Sequence, residues 1–187
     1  MNLLQVVKAL MKKIFSELLN FLFNWSLYLA KFRKNLRSLF GIADISFVTP
    51  LLAIGSKPTL RVLKSKNIKK ILDLRKEEWN DIKSLNDQGI TYFKLPMDDD
   101  KAPSYEALSR AVNIISSSTL KGERIMVFCS LGRTRSPMVA IAYLISRGIP
   151  PNVALSKVKN ARKFIHISSE QMEVLNHLWQ VYMQSGH

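Results

Sequence analysis

The sequence predicts an α/β fold in which a mostly parallel central sheet carries helices on both faces, preceded by an N-terminal amphipathic helical segment. From residue 41 onward, apolar runs of strand length alternate with helical patterns, an order typical of a parallel sheet covered on both sides. Residues 1–40 differ, because they hold seven Lys or Arg residues and a single acid, Glu17. We therefore predict a basic amphipathic helical segment over 1–40 and one α/β domain over 41–187.

The N-terminal segment is predicted to be helical because its apolar residues recur at helical spacing: Leu3, Val7, Leu10, Ile14, Leu18, Leu22 and Trp25. Its longest uncharged run, Leu18 to Ala30, has 13 residues and is too short to span a bilayer. No A-x-A-like cleavage site follows this run, so a secretory signal is not expected. Three interpretations stay open: an interfacial helix on an anionic membrane, a helix packed on the domain, and an organellar targeting peptide.

The predicted strands are short apolar runs, and the first two flank Pro50. In chain order they are Ile45–Val48, Leu51–Ile54, Lys70–Leu74, Tyr92–Leu95 and Ile125–Phe128. The predicted helices follow the 3.6-residue pattern: Thr59–Leu63, Glu77–Leu85, Ser104–Ile115, Ser136–Ser146, Asn152–Arg162 and Ser169–Met183. Ser104 stands at an N-cap position, and Ser168 with Gln171 forms a capping-box pattern. Strands therefore alternate with helices up to the last strand, and three helices close the domain.

The composition predicts one domain with a reduced cysteine and anionic partners. A chain of 187 residues, 47% of them apolar, can bury one substantial core. Its single cysteine excludes an internal disulfide and suits a reducing compartment, and its three histidines are too scattered to indicate a metal site. The net charge of +14 favours anionic partners. Nucleic acid is not expected among them, because the basic residues are spread along the chain and no recognition motif appears.

The only cysteine lies where a thiolate would be well stabilised. Cys129 ends the last predicted strand, and a tight turn leads to Arg135 at the start of a helix. A ring of backbone N–H groups between a strand and a helix binds anions and favours the thiolate form of a cysteine at its centre. Arg135 can bind two oxygens of a phosphate. The predicted phosphate-binding residues are Ser130, Leu131, Gly132, Arg133, Thr134 and Arg135, with Cys129 as the nucleophile.

A second group of reactive residues follows the strand that ends at Leu95. Cleavage of a phosphate ester requires a neutral acid that protonates the leaving oxygen, and the same group can then accept a proton from water. Asp98, Asp99 and Asp100 offer such a carboxyl group. The alternative is that these three aspartates are solvated and favour the dipole of the next helix.

These motifs resemble the cysteine-based protein tyrosine phosphatases, in particular their compact dual-specificity branch. The loop from Cys129 to Ser136 resembles the signature of that family, and Pro96-Met97-Asp98-Asp99 resembles the segment that carries the acid. The resemblance covers the chain from Ile54 to Leu178. Residues 132–136, 159–167 and 171–175 are also similar to the mitochondrial phosphatidylglycerophosphate phosphatases of this superfamily.

The resemblance implies a dual-specificity phosphatase-like fold and a role for each site residue. Cys129 attacks phosphorus, while Arg135 and the loop amides stabilise the transferring group. Asp99 acts first as an acid and then as a base, and Ser136 donates a hydrogen bond to the leaving sulfur. The family needs neither a metal nor an organic cofactor for this reaction.

Three further residues carry open interpretations. Arg133 is a candidate contact for a second anionic group of the substrate, or a solvated arginine at a helix start. Arg162 is a candidate for the same contact, or part of a structural salt bridge. The chain departs from the family at Phe128, where a histidine usually supports the loop, and phenylalanine cannot donate that hydrogen bond.

The sequence is compatible with three functions. The main prediction is a hydrolase of phosphotyrosine, and also of phosphoserine or phosphothreonine, that forms a phosphocysteine. The second is a phospholipid phosphatase that acts on phosphatidylglycerophosphate or a related lipid at a membrane surface, and the third is a phosphate-binding module with little turnover. The expected location is intracellular, either cytoplasmic or peripheral at a membrane, with the mitochondrion as the organellar alternative.

Overall fold

The structure is a computed structural model, and it describes residues 44–77, 79, 82–99 and 101–184 together with positions 11, 13, 17, 18, 21, 22, 24, 25, 28 and 29. The chain divides into two compact units, Met1–Ile42 and Ala43–His187. The ten described positions of the first unit are helical and exposed. Most of the predicted segment over 1–40 lies outside the described residues and stays a prediction. None of the helices in the described part has the length and apolar character needed to cross a membrane.

The second unit is built on a five-stranded sheet with the strand order β1-β2-β5-β3-β4. The strands are β1 (Ile45–Phe47), β2 (Leu52–Ser56), β3 (Ile68–Asp73), β4 (Thr91–Lys94) and β5 (Arg124–Cys129). The pair β1–β2 is antiparallel, and the other three pairs are parallel. The prediction of a mostly parallel sheet is therefore confirmed.

Six helices follow or separate these strands in the second unit's described residues. They are α1 (Leu60–Ser65), α2 (Ile82–Asp87), α3 (Tyr105–Thr119), α4 (Arg135–Ser146), α5 (Pro151–Ala161) and α6 (Ser169–Gln184). The capping box before α6 is present, because Ser168 N donates to Gln171 Oε1 at 3.1 Å and Gln171 N donates to Ser168 Oγ at 3.2 Å. At the start of α3, Ala107 N donates to Ser104 Oγ.

Helices cover both faces of the sheet, as predicted. Adjacent residues of a strand point to opposite faces, and those of β5 alternate between two separate apolar clusters. Ile125 and Val127 belong to the larger cluster, which includes buried residues of α3, α4, α5 and α6. Met126 and Phe128 belong to the smaller cluster, which includes Leu63 of α1 together with a residue of α2.

One predicted helix begins in the wrong place. The helical pattern over Glu77–Leu85 predicted a helix that begins at Glu77, but Glu77 lies in a bend and α2 begins at Ile82. Lys94 Nζ binds the Glu77 carbonyl, and the Trp79 ring contacts Phe128 edge to face. These tertiary contacts hold Glu77 and Trp79 in non-helical conformations, because they outweigh local helix propensity.

The sheet places the ends of its central strands together. Cys129 at the end of β5 is in register with Ser56 at the end of β2, and Phe128 is in register with Asp73 at the end of β3. The carboxyl edge of a parallel sheet is where open α/β folds bind ligands. Cys129 and the turn that follows it therefore lie at the edge where a ligand site is expected.

Candidate active site

The turn between β5 and α4 requires glycine at residue 132 for two reasons. Gly132 has a φ of +64°, in the left-handed region that disfavours any other side chain. A Cβ atom placed there would lie 2.5 Å from the Gly55 carbonyl carbon and 2.8 Å from Arg162 Nη2. The turn thus packs directly against the backbone of β2, which fixes its position relative to the strand.

The carbonyl groups of this turn are held on one side. Arg162 Nε donates to Gly132 O at 2.5 Å, Arg162 Nη2 donates to Leu131 O at 3.1 Å, and His166 N donates to Arg133 O at 2.8 Å. In a trans peptide the next N–H points opposite to the carbonyl. The N–H groups of residues 132, 133 and 134 therefore point to the other side of the turn, and such a concave row of amides attracts an anion.

Arg162 is engaged with the turn and with Asp44. Besides the two carbonyls, its Nη2 donates to Asp44 Oδ2 at 2.9 Å, and both side chains are largely buried. These contacts favour the alternative in which Arg162 forms a structural salt bridge over a direct contact with substrate. Arg133 contacts the same region, because its Nε donates to Phe164 O at 3.1 Å. Burial and then the charge of Arg162 lower the pKa of Arg133.

Ser136 lies beside the cysteine sulfur. Cys129 is 1% exposed, and its Sγ lies 3.5 Å from Ser136 Oγ. The same hydroxyl donates to Gly55 O at 3.4 Å, and Ser136 is fully buried. The hydroxyl has one hydrogen, so it can donate to a thiolate by turning that hydrogen from Gly55 O toward the sulfur.

Arg135 connects the turn to the neighbouring strands. Its Nη1 donates to Leu74 O and to Met97 O, each at 3.2 Å, and its Nη2 donates to Ser130 Oγ at 3.0 Å. The side chain is 6% exposed. Two carbonyls that follow β3 and β4 thus fix one arm of the guanidinium, while the other arm reaches the turn.

Among the described aspartates of the second motif, Asp99 is the one that contacts Arg135. Asp99 Oδ2 accepts from Arg135 Nη2 at 2.9 Å, and Asp99 Oδ1 lies 2.9 Å from Arg135 Nε and accepts from Thr134 Oγ1 at 2.7 Å. Asp98 instead pairs with Lys76, and this partner lowers the pKa of Asp98. Asp100 lies outside the described residues.

A buried group next to the site was missed by the sequence analysis. Asp73 is fully buried and forms an ion pair with Arg75, whose guanidinium lies 5.1 Å from the centre of the Phe128 ring. Trp79 approaches the same ring edge to face at 5.8 Å. The contacts with Phe128 join different segments, so they depend on the strand order, whereas Asp73 and Arg75 are two residues apart. The only signal in the sequence was an aspartate at the end of an apolar strand.

The chemistry of the site suits an anion. The described residues contain no group of three or more His, Cys, Asp or Glu side chains placed to hold a metal ion. Arg135, the hydroxyl groups of Ser130 and Ser136, and the row of amides are all hydrogen-bond donors. Donors that converge beside a cysteine can bind a phosphate group next to a nucleophile.

Comparison with known proteins agrees with this geometry. The dual specificity phosphatase catalytic domain matches residues 52–181. The phosphatidylglycerophosphate phosphatase PTPMT1 of Arabidopsis thaliana is 31% identical over 81 residues, which cover 43% of this chain and only 24% of that protein. The human phosphatidylglycerophosphatase and protein-tyrosine phosphatase 1 is 24% identical over 145 residues, which cover 68% of this chain and 69% of that protein.

A solved structure supports the same assignment at the level of the fold. The crystal structure of PTPMT1 in complex with PI(5)P has a TM-score of 0.71 and 20% sequence identity, covering 78% of this chain and all of that one. The predicted dual-specificity phosphatase-like fold is thereby confirmed. The chain belongs to the dual specificity phosphatase family, within the superfamily of cysteine-based phosphatases that work without a metal.

Proposed function

We propose that this protein hydrolyses phosphate monoesters through a phosphocysteine on Cys129, and that its substrate is a phospholipid head group presented at an anionic membrane surface. One observation carries the proposal of catalysis. Arg135 joins the loop that begins at Cys129 to the carboxylate of Asp99 through paired contacts of 2.9 Å. A nucleophile, a phosphate-binding cation and a carboxyl group thus meet at one edge of the sheet.

In the first step, the Cys129 thiolate attacks phosphorus in line with the leaving oxygen. The S–P bond forms as the P–O bond of the ester breaks. Arg135 and the loop amides donate hydrogen bonds to the three other phosphoryl oxygens, where charge accumulates. Asp99, in its neutral form, gives its proton to the leaving oxygen, so the alcohol departs uncharged.

In the second step, water attacks the phosphocysteine. The Asp99 carboxylate accepts a proton from the water as the new P–O bond forms and the S–P bond breaks. Ser136 Oγ, which lies 3.5 Å from the sulfur, donates a hydrogen bond to the departing thiolate. Phosphate leaves, and the enzyme returns to its starting state with neither a metal nor an oxidant involved.

A substrate phosphate must displace Asp99 from Arg135 in order to bind there. In the structure the carboxylate lies across the guanidinium. A phosphate group that binds this guanidinium displaces Asp99, which is half exposed, so its carboxylate can take up a proton from solvent and turn toward the leaving oxygen. Binding of the substrate itself thus places the acid.

The membrane part of the proposal rests on the N-terminal unit. The described apolar side chains Leu18, Phe21, Leu22, Trp25, Tyr28 and Leu29 recur at helical spacing and are all exposed. The Phe21 and Trp25 rings are stacked with centroids 6.2 Å apart. Exposed aromatic residues among seven basic ones suit the interface of an anionic bilayer. Both curated relatives carry phosphatidylglycerophosphate phosphatase activity in their names, which supports a lipid substrate.

Protein phosphotyrosine is the second candidate substrate. The human relative is also named a protein-tyrosine phosphatase, which supports a protein substrate. The two candidates share the phosphate monoester and differ in what surrounds it. Neither candidate substrate depends on a mitochondrial or cytoplasmic location, which stays a prediction.

The test of catalysis uses purified protein and a nitrophenyl phosphate in the presence of EDTA. We expect turnover by the unaltered protein and its loss in Cys129→Ser, because the hydroxyl of serine is a far weaker nucleophile than a thiolate. Tungstate binding to Cys129→Ser reports that the phosphate site is intact in this variant. Continued turnover by Cys129→Ser would overturn the proposal.

The test of substrate compares phosphatidylglycerophosphate in anionic vesicles with a phosphotyrosine peptide. The variant Phe21→Ser/Trp25→Ser should lose sedimentation with vesicles and activity on the lipid, yet keep its activity on the soluble aryl phosphate. Asn24→Ala is the matched control, since Asn24 is exposed and polar in the same helical stretch. If the peptide is the better substrate and the double variant cleaves vesicle lipid normally, the proposal of a phospholipid substrate is wrong and phosphotyrosine in a protein is the better candidate.

A further inference from the structure

Asp73 and Arg75 form a buried ion pair on either side of Leu74. Asp73 Oδ1 accepts from the backbone N and the Nε of Arg75, each at 2.9 Å, and Asp73 Oδ2 accepts from Arg75 Nη2 at 2.8 Å. Asp73 is 0% exposed and Arg75 is 8% exposed. Tyr92 and Lys94 of β4 also face this carboxylate, at 3.1 and 3.8 Å. The three bonds close the backbone from 73 to 75 into one fixed turn.

The residue inside that turn contacts the catalytic apparatus through both of its peptide groups. Leu74 N donates to Phe128 O at 3.0 Å, next to Cys129 in sequence. Leu74 O accepts from Arg135 Nη1 at 3.2 Å and from Met97 N at 3.1 Å. Met97 lies two residues before Asp99. The position of Leu74 thus affects the cysteine strand, the arginine and the acid segment together.

Arg75 has a second contact with the cysteine strand. Its guanidinium lies over the face of the fully buried Phe128 ring, and Trp79 holds the edge of the same ring. Burial opposes the charge of Arg75, but the hydrogen bonds and the charge of Asp73 outweigh it, with Glu77 and Tyr92 adding to them, so the pKa of Arg75 is raised. Arg75 therefore stays charged against the residue at which this chain departs from the family's histidine.

We propose that the Asp73–Arg75 ion pair is a positioning device for the phosphate site, which holds the Leu74 carbonyl that orients Arg135 and holds the Phe128 strand end that presents Cys129. A buried ion pair adds little net stability compared with an apolar pair, because desolvation of both charges offsets their attraction. The ion pair instead fixes the direction of the Leu74 carbonyl. The inference rests on the proposed role of Arg135 in binding phosphate.

The test removes both charges together. Asp73→Asn or Arg75→Gln alone leaves a buried charge without its partner, which destabilises the fold and confuses the readout. The double variant Asp73→Asn/Arg75→Gln keeps both shapes and removes both charges of the pair, while Lys94, 3.8 Å from Asp73, keeps the Glu77 carbonyl as a partner. We expect it to fold, to bind tungstate about tenfold or more weakly by calorimetry, and to lose at least that factor in kcat/KM for an aryl phosphate. Tenfold is about the effect of one misplaced hydrogen bond to a charged group.

A matched control exists at the other end of the same strand pair. Lys70 of β3 pairs with Glu123, directly before β5, at 2.8 Å. Lys70→Gln/Glu123→Gln removes one ion pair and leaves the net charge unchanged, as the test variant does. It should bind tungstate within about twofold of the unaltered protein, because this pair lies near the amino-terminal ends of β3 and β5, away from the phosphate site. Equal tungstate affinity in the test and control variants would overturn the proposal.

A milder variant keeps the inference testable if the double variant does not fold. Arg75→Lys keeps the charge opposite Asp73 but loses the forked contact with both oxygens and the flat face over Phe128. We expect a weaker affinity for tungstate at an unchanged melting temperature, and an unchanged affinity would overturn the proposal. Because tungstate binding needs no turnover, this result is separate from Cys129→Ser. An active Cys129→Ser would refute the proposed function instead.

Discussion

Replacing Asp99 with asparagine should change catalysis and phosphate binding in opposite directions. Asparagine keeps an oxygen that can accept the bond from Thr134 Oγ1, now 2.7 Å from the carboxylate, so the local structure should persist. It cannot donate a proton to a leaving oxygen. Loss of a general acid lowers turnover by about 10²–10⁴-fold. We expect that loss for an alkyl phosphate, and a much smaller one for a nitrophenyl phosphate, whose leaving group needs little protonation.

The same substitution removes the charge that competes with phosphate for Arg135. The Asp99 side chain is 48% exposed, and ion pairs at that exposure are worth about 0.2–1 kcal/mol. Inorganic phosphate should therefore inhibit Asp99→Asn up to about fivefold more tightly than the unaltered protein. The assay is steady-state hydrolysis of both esters with inorganic phosphate as a competitive inhibitor.

Asp98→Asn is the matched control, because Asp98 pairs with Lys76 and not with Arg135. Both its turnover and its inhibition by phosphate should stay within about twofold of the unaltered protein. If Asp98→Asn is the variant that loses turnover, the acid is misassigned by one residue. If Asp99→Asn binds phosphate more weakly, the contact between Asp99 and Arg135 does not compete with phosphate.

Three further substitutions test the turn and its surroundings. Gly132→Ala should lose activity, and a urea titration should show about 1–2 kcal/mol or more of lost stability. The left-handed backbone alone costs that much, and the new Cβ atom would also clash with Gly55. Gly148→Ala is the control, because Gly148 has a φ of +77° with open space around it, so this variant should lose stability but keep its activity. Ser136→Ala should slow hydrolysis of the phosphocysteine by about 10–100-fold, which is the effect of losing a hydrogen bond to a charged group. Rapid-quench experiments should then show that the phosphoenzyme accumulates. An unchanged rate of hydrolysis would remove Ser136 from the mechanism. Arg162→Lys should lower kcat/KM by the same factor for a small aryl phosphate and for a phospholipid if Arg162 supports the turn, whereas a loss confined to the phospholipid would restore Arg162 as a substrate contact.

The parts of the site that are local in sequence could be predicted, and the parts that depend on strand order could not. Cys129, Gly132 and Arg135 lie within one strand–turn–helix unit, whose spacing and flanking apolar runs already indicate its shape. Asp99 was selected among three aspartates only through the family resemblance. Its contact with Arg135 joins segments that are 36 residues apart.

The largest omission was the surroundings of Phe128. The sequence showed that a histidine was missing, but not that Arg75 and Trp79 would contact the phenylalanine ring, because that contact requires β3 to lie beside β5. The predicted helix start at Glu77 was wrong for a similar reason, because Glu77 contacts Lys94 and Trp79 contacts Phe128. The sequence left two roles open for Arg162 for a similar reason, since its partner Asp44 lies 118 residues away in sequence.

The central claim is that phosphate passes through a covalent bond to Cys129. The most direct measurement is rapid quenching of the EDTA-treated protein during hydrolysis of an aryl phosphate, followed by mass spectrometry of the peptide that contains residue 129. We predict one phosphoryl group on Cys129 in the unaltered protein, more of it in Ser136→Ala, and none on that peptide in Cys129→Ser. A phosphoryl group on another residue, or full turnover with residue 129 never modified, would contradict the account.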